Sequence, residues 1–204
     1  MSGNNAFFKQ GDKTAFVIDG YQLSPDWWSR HYEYIWALQH AEPDHVCADM
    51  GCGWHDRPMK DVLSVRCKYV YAVDAHPDVQ LLAGHENMKY VVADITKDTG
   101  IPAASLDRVY CISVLEDLGD LVTGALKEFA RVIKPDGRVI ITCDNQYDMN
   151  KPLPKYPGVN MDHFVGAVKA AGLEFDGALD FDKTDAIYHN GFNLCCWHCV
   201  LRKA

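Results

Sequence analysis

The hexapeptide Ala48-Asp49-Met50-Gly51-Cys52-Gly53 ends an apolar run that starts at Val46, and a second run, Tyr71-Ala72-Val73, ends in Asp74. Glycines after a buried strand let a ligand approach the backbone, and an acid at the end of the next strand can accept hydrogen bonds from two ribose hydroxyls. A separation of about twenty residues between the glycines and that acid is the spacing of a nucleoside site. A third run, Tyr90 to Ala93, also stops at an acid, Asp94.

Charge decides between nucleosides. A dinucleotide site wants a small third residue where this chain has Asp56, so that the pyrophosphate can rest on a helix N-terminus. A carboxylate there repels phosphate. S-adenosylmethionine has no phosphate and carries a positive sulfonium, so Asp49, Asp74 and Asp94 suit it better than NAD.

The cysteines point to other chemistry less well. Six of the eight (Cys47, Cys67, Cys111, Cys143, Cys195 and Cys199) lie in apolar strand-like runs, where a reduced thiol acts as a small hydrophobe. Cys195, Cys196, His198 and Cys199 invite a zinc reading, but in a strand Cys196 and His198 face away from the other two, and no metal site is expected.

These residues need a scaffold. The runs at 46–50, 69–73, 90–93, 107–115 and 138–143 read as strands, the last two too uniformly apolar for a sheet with one wet face. Between the last two, Leu121, Val122, Ala125, Leu126, Phe129, Ala130 and Ile133 recur at helical spacing, with Lys134-Pro135-Asp136-Gly137 as the stop. Alternating strand and helix predicts an α/β, doubly wound, mostly parallel seven-stranded sheet with helices on both faces, and ligands outside the carboxyl ends of its strands. Residues 160–171 predict another helix, and 173–181 with 194–202 an antiparallel closing pair. At the front, Ser24-Pro25-Asp26 predicts the start of an aromatic helix running to about Gln39. The whole chain reads as one domain, with residues 1–40 as an extension whose helix packs on the sheet or covers the ligand.

In series, ADMGCG (48–53), VYAVDAHP (70–77), VVADITK (91–97), SLDRVYCISVLEDL (105–118) and LKEFARVIKPDGRVIIT (126–142) resemble the class I S-adenosylmethionine-dependent methyltransferases of the small type 11 kind. The resemblance covers about half the chain and implies roles. Gly51 and Gly53 pass under the methionine part of the cofactor, and Asp49 holds its amino group. Asp74 binds the ribose with Ala75 beside the adenine, Asp94 accepts from the adenine amino group, Ile95 packs on the ring, and Ser113 lies near the sulfonium. WSRHYEYIWAL (28–38) resembles the lead helix of some members, which makes Arg30 the candidate for the cofactor's carboxylate. Two positions depart from the pattern: His55 replaces a glycine, and Glu116-Asp117 stands where a Glu-His pair is common.

Methyl transfer from a sulfonium needs alignment more than a catalytic triad, and alignment is worth about 7 to 11 kcal/mol. A hydroxyl acceptor would also want a base. His55, His163, Tyr147 and His189 are candidates, from loops or helix starts. The net charge of −8 offers no face for long nucleic acid, and no run is long enough to span a membrane. The first residues lack the pattern of a secretory leader, so a cytoplasmic setting is expected. The Tyr, Trp, Asn and Asp of the lead helix and of 145–158 and 182–193 suit a small or sugar-like methyl acceptor, with a mouth open enough for a second copy to cover. A non-catalytic cofactor-binding protein and a nicotinamide-dependent oxidoreductase are the alternatives, the latter disfavoured by Asp56.

Overall fold

Residues 3–54, 58–82, 84–151 and 158–204 are described by the computed structural model. Three two-residue strands come first: β1 (Ala6–Phe7), then the hairpin β2 (Val17–Ile18) and β3 (Tyr21–Gln22). α1 (Arg30–Ala37) leads into β4 (Val46–Met50), α2 (Met59–Arg66), β5 (Tyr69–Asp74) and β6 (Met88–Val92). The chain continues through β7 (Leu106–Ile112), α3 (Val122–Val132), β8 (Ile133–Gln146) and α4 (Met161–Ala170), and closes with β9 (Leu173–Phe175), β10 (Tyr188–His189) and β11 (Leu194–Lys203).

The main sheet runs β1-β11-β8-β7-β4-β5-β6. β4 through β8 pair in parallel, while β11 lies antiparallel to β8 and to β9. The parallel core and the antiparallel closing pair are as expected from the sequence. Among the described residues the sheet has nine strands instead of seven, because β1 and β10 also add to β11. Each is two residues long, too short to leave any periodicity in the sequence.

Alternation along β8 divides the core. Ile140 faces α1 and α2, packing with Tyr34, Ala37, Val62 and Leu63. Val139, Ile141 and Cys143 face α3 and α4, packing with Phe129 and Phe164. The same alternation in β11 puts Cys195 and Cys199 on the α4 side and Cys196 on the other, with Phe8 and Ile187. All eight cysteines are buried free thiols. No helix among the described residues is long and apolar enough to cross a membrane.

Two boundaries differ from expectation. The aromatic helix begins at Arg30 rather than beside Ser24. Ser24 closes a local turn, its Oγ accepting from the Asp26 N–H at 3.3 Å and its carbonyl from the Trp27 N–H at 3.2 Å, so its capping capacity is used before any helix starts. β8 begins at Ile133, so Lys134 to Gly137 lies within the strand, where its register with β7 shifts between Leu106 and Arg108.

Candidate functional site

The carboxyl ends of β4 and β5 are tied together by backbone. The Gly51 and Cys52 N–H groups donate to the Val73 carbonyl at 2.8 and 3.0 Å. That turn needs φ of +82° at Gly51 and +68° at Gly53. A Cβ on Gly51 would lie 2.5 Å from Val114 Cγ2, so the turn is also closely packed. Asp74 accepts the Gly53 N–H on Oδ2 and the His76 N–H on Oδ1, both at 2.9 Å. Each oxygen keeps a lone pair for a further donor. Ala75 is exposed beside it, and Trp54 stacks on His76 with 4.4 Å between ring centroids. Asp49 is buried under the loop at 3% exposure.

Asp94 lies after β6, half-exposed. Its Oδ1 accepts from the Thr96 N–H and hydroxyl at 2.9 and 2.7 Å, and Lys97 pairs with Oδ2 at 2.9 Å. The bonds from Lys97 and Thr96 hold its carboxyl down at about 2. Ile95 next to it is buried.

At the ends of β7 and β8 a second group forms. Arg30 Nη1 donates to Glu33 Oε1 and to Ser113 Oγ, each at 2.6 Å, and Ser113 Oγ donates to Glu33 Oε2 at 2.8 Å. Thr142 Oγ1 donates to the same Oε2. Burial pushes the Glu33 carboxyl up, but Arg30, Ser29, Thr142 and Ser113 together hold it below its ordinary range. Burial likewise works against the Arg30 charge, and Glu33 more than restores it.

Glu116 and Asp144 lie against this group. Glu116 Oε2 and Asp144 Oδ1 are buried and have no hydrogen-bond partner among the described residues. Burial, then the proximity of Asp144, pushes Glu116 far above the carboxylate range. Burial and Glu33 push Asp144 to about 7.

Arg30 and Ser113 are thus brought into contact, while Asp49, Gly51, Gly53, Asp74 and Ala75 gather at the neighbouring strand ends. The candidate bases do not converge. His163 is exposed in the first turn of α4, with its N–H capped by Asn160, on the face opposite α1. Tyr147 packs toward that same face and stacks on Tyr188 with centroids 4.8 Å apart. His189 is on the α1 side, edge-on to Trp28 at 6.0 Å. His55 and Asp56 fall outside the described residues.

Glu33 and Asp144 were not anticipated from sequence. Asp144 carries the signal that marked Asp74 and Asp94, an acid directly after an apolar strand run. Glu33 sits one turn after Arg30. A cavity of about 440 Å³ opens beside the end of β8, walled by Phe7, Gln146, Met149, Val159, Phe181 and Lys183.

Comparison with known proteins bears on the fold. Residues 48–141 match the type 11 family described as a methyltransferase domain. No curated protein matches the sequence. Among solved structures, the [4+2]-cyclase SpnF is similar with a TM-score of 0.72 at 12% identity, over 99% of this chain and 87% of that one. The N-methyltransferase NodS of Bradyrhizobium japonicum, in complex with S-adenosylhomocysteine, is similar at 0.63 and 14% identity, over 86% of each chain. The 1,6-didemethyltoxoflavin-N1-methyltransferase of Burkholderia thailandensis is similar at 0.60 and 17%, over 84% of this chain and 76% of that one. Residues 48–141 thus match a methyltransferase domain, and the chain folds as the class I S-adenosylmethionine-dependent methyltransferases do, which makes S-adenosylmethionine the cofactor to set against the site.

The residues present fit that cofactor. Positive-φ glycines turn the first loop without side chains, Asp74 is fixed by two N–H groups with acceptor capacity to spare, and among the described residues the acids near Arg30 outnumber it.

Proposed function

We propose that the protein methylates a small, polar acceptor, sugar-like or ring-bearing, at oxygen or nitrogen. The observation that carries this is the 440 Å³ cavity at the end of β8. Ligand pockets for small molecules run from about 300 to 1,000 Å³, so it suits a single ring or short glycoside and not a polymer. Phe7, Met149, Val159, Met161 and Phe181 give it apolar walls, while Asn145, Gln146, Asn160, Asp162 and Lys183 supply polar groups.

Gly51 and Gly53 hold the cofactor's methionine part against the backbone, and Asp49 takes its amino group. Asp74 receives the ribose hydroxyls, with Ala75 and Ile95 against the adenine and Asp94 near its amino group. Arg30 uses one of its three guanidinium nitrogens, Nη1, on Glu33 and Ser113, which leaves the N–H groups of Nε and Nη2 for the cofactor's carboxylate. The bound cofactor supplies an activated methyl carbon. What this chain adds is alignment and, through Ser113, a polar contact near the transfer point. The similarity to the toxoflavin methyltransferase, whose structure holds 1,6-didemethyltoxoflavin, supports a small acceptor.

The test is a screen that follows S-adenosylhomocysteine release with small hydroxyl and amino compounds beside transfer RNA and unfolded protein. Turnover with small compounds alone is expected. Turnover confined to a macromolecule would overturn the reading.

A further inference from the structure

Where β7 and β8 end, charge is unbalanced. Among the described residues, Glu33, Glu116 and Asp144 all feel the charge of Arg30, Asp117 adds a further negative charge beside Asp144, and Glu33 already takes Arg30 in a 2.6 Å ion pair. The thiols that face the pair, Cys111 from β7, Cys143 from β8 and Cys195 and Cys196 from β11, are buried and neutral, and Lys183, which acts on Cys195 together with Asp144, donates to the Gln146 carbonyl. Glu116 Oε2 and Asp144 Oδ1 are buried with no partner among the described residues. A buried acceptor left unmatched costs about 1–3 kcal/mol, and two neighbouring carboxyls that feel each other's charge cannot both ionise cheaply. The group missing from this cluster is a cation.

We propose that Glu116 and Asp144 form a cation subsite that binds a positively charged group by giving up a shared proton. This deepens the methyltransferase reading and rests on it. Two sources of the charge fit the same chemistry, the sulfonium of the cofactor and the ammonium of an amine acceptor. In either case the carboxyl O–H bond breaks, its electron pair stays on the oxygen, and the proton passes to solvent. The carboxylate so formed faces the incoming cation. When the methyl group has left, the cofactor product is neutral at sulfur and the pair takes its proton back, which weakens the hold on that product.

The experiment is calorimetric titration of the full chain with S-adenosylmethionine and with S-adenosylhomocysteine at pH 7, in two buffers of different ionisation enthalpy. Protons released are read from the difference between buffers. Release of up to about one proton per site with the first ligand, absent with the second and lost in both Asp144→Asn and Glu116→Gln, assigns the subsite to the sulfonium. Equal release for the two, followed by release when benzylamine is titrated into the S-adenosylhomocysteine complex and lost in the variants, assigns it to an amine acceptor. Binding of both cofactors with no proton release in any arm overturns the subsite and leaves the methyltransferase reading standing. Absence of binding by either cofactor removes both. Thermal melting of the two variants separates a lost proton from a lost fold.

Discussion

Gly53 donates its backbone N–H to Oδ2 of Asp74 across 2.9 Å, so the loop after β4 and the acid after β5 are one structural unit. Asp74→Ala removes both the acceptor for the Gly53 and His76 N–H groups and the proposed ribose contacts. Hydrogen bonds to a charged group are worth about 1.5–3 kcal/mol each. Loss of even one such bond lowers affinity by about 10- to 150-fold, and calorimetry with S-adenosylhomocysteine should show at least that. Unchanged affinity would remove Asp74 from the site.

Gly51 and Gly100 both hold positive φ, +82° and +76°, but a Cβ at Gly51 meets Val114 at 2.5 Å while one at Gly100 meets nothing within 4 Å. Gly100→Ala should cost about 1 kcal/mol of stability from backbone strain alone. Gly51→Ala should cost more and weaken cofactor binding, as read by urea unfolding and calorimetry. Equal losses in the two variants would show that packing on Val114 is unimportant.

Asp144 makes stability depend on pH in a known direction. Its carboxyl is held at about 7 in the folded chain against an ordinary 3.8. The folded state therefore binds the extra proton between those values, and stability falls as pH rises through them, by at most about 4 kcal/mol. Asp144→Asn should melt higher than the parent at pH 8 and equal to it at pH 4. A parent whose melting temperature rises from pH 5 to 7 relative to the variant would contradict this.

His198 acts in the opposite sense. Burial holds its imidazole at about 4; it lies 4.3 Å from the Trp36 ring and 4.4 Å from the Phe8 ring, centroid to centroid. A depressed histidine contributes stability that is present above 6.5 and lost as pH falls toward 4, here up to about 3 kcal/mol. His198→Phe should flatten the acid limb of the melting curve. An unchanged acid limb would place that sensitivity on His40, which burial and Arg108 also hold at about 4.

Much of this molecule is legible in its sequence because the parallel strands are buried on both faces, so uniform apolar runs and the turns ending them stand out. Val46–Met50 can be read to the residue, and Asp74 and Asp94 follow from their place at strand ends. The polar network is less legible, since it joins residues far apart: Glu33 meets Thr142 across 109 positions, and no local pattern records that contact. β1 is invisible for a related reason, its partner being β11. The start of α1 was misplaced because Ser24-Pro25-Asp26 has the composition of a helix cap and the geometry of a turn.

β11 organises its neighbours in a way that bears on synthesis. The Val200 N–H donates to Asn5 Oδ1 across 195 positions, and β1, β8, β9 and β10 all pair with that one strand. At translation rates of about 5–20 residues per second, the segment around Asn5 waits about 10–40 s for its partner to be made. Phe7 and Phe8, each no more than 2% exposed in the finished fold, spend that interval uncovered. The two rings thus stay uncovered on the nascent chain until β11 is made and withdraws them.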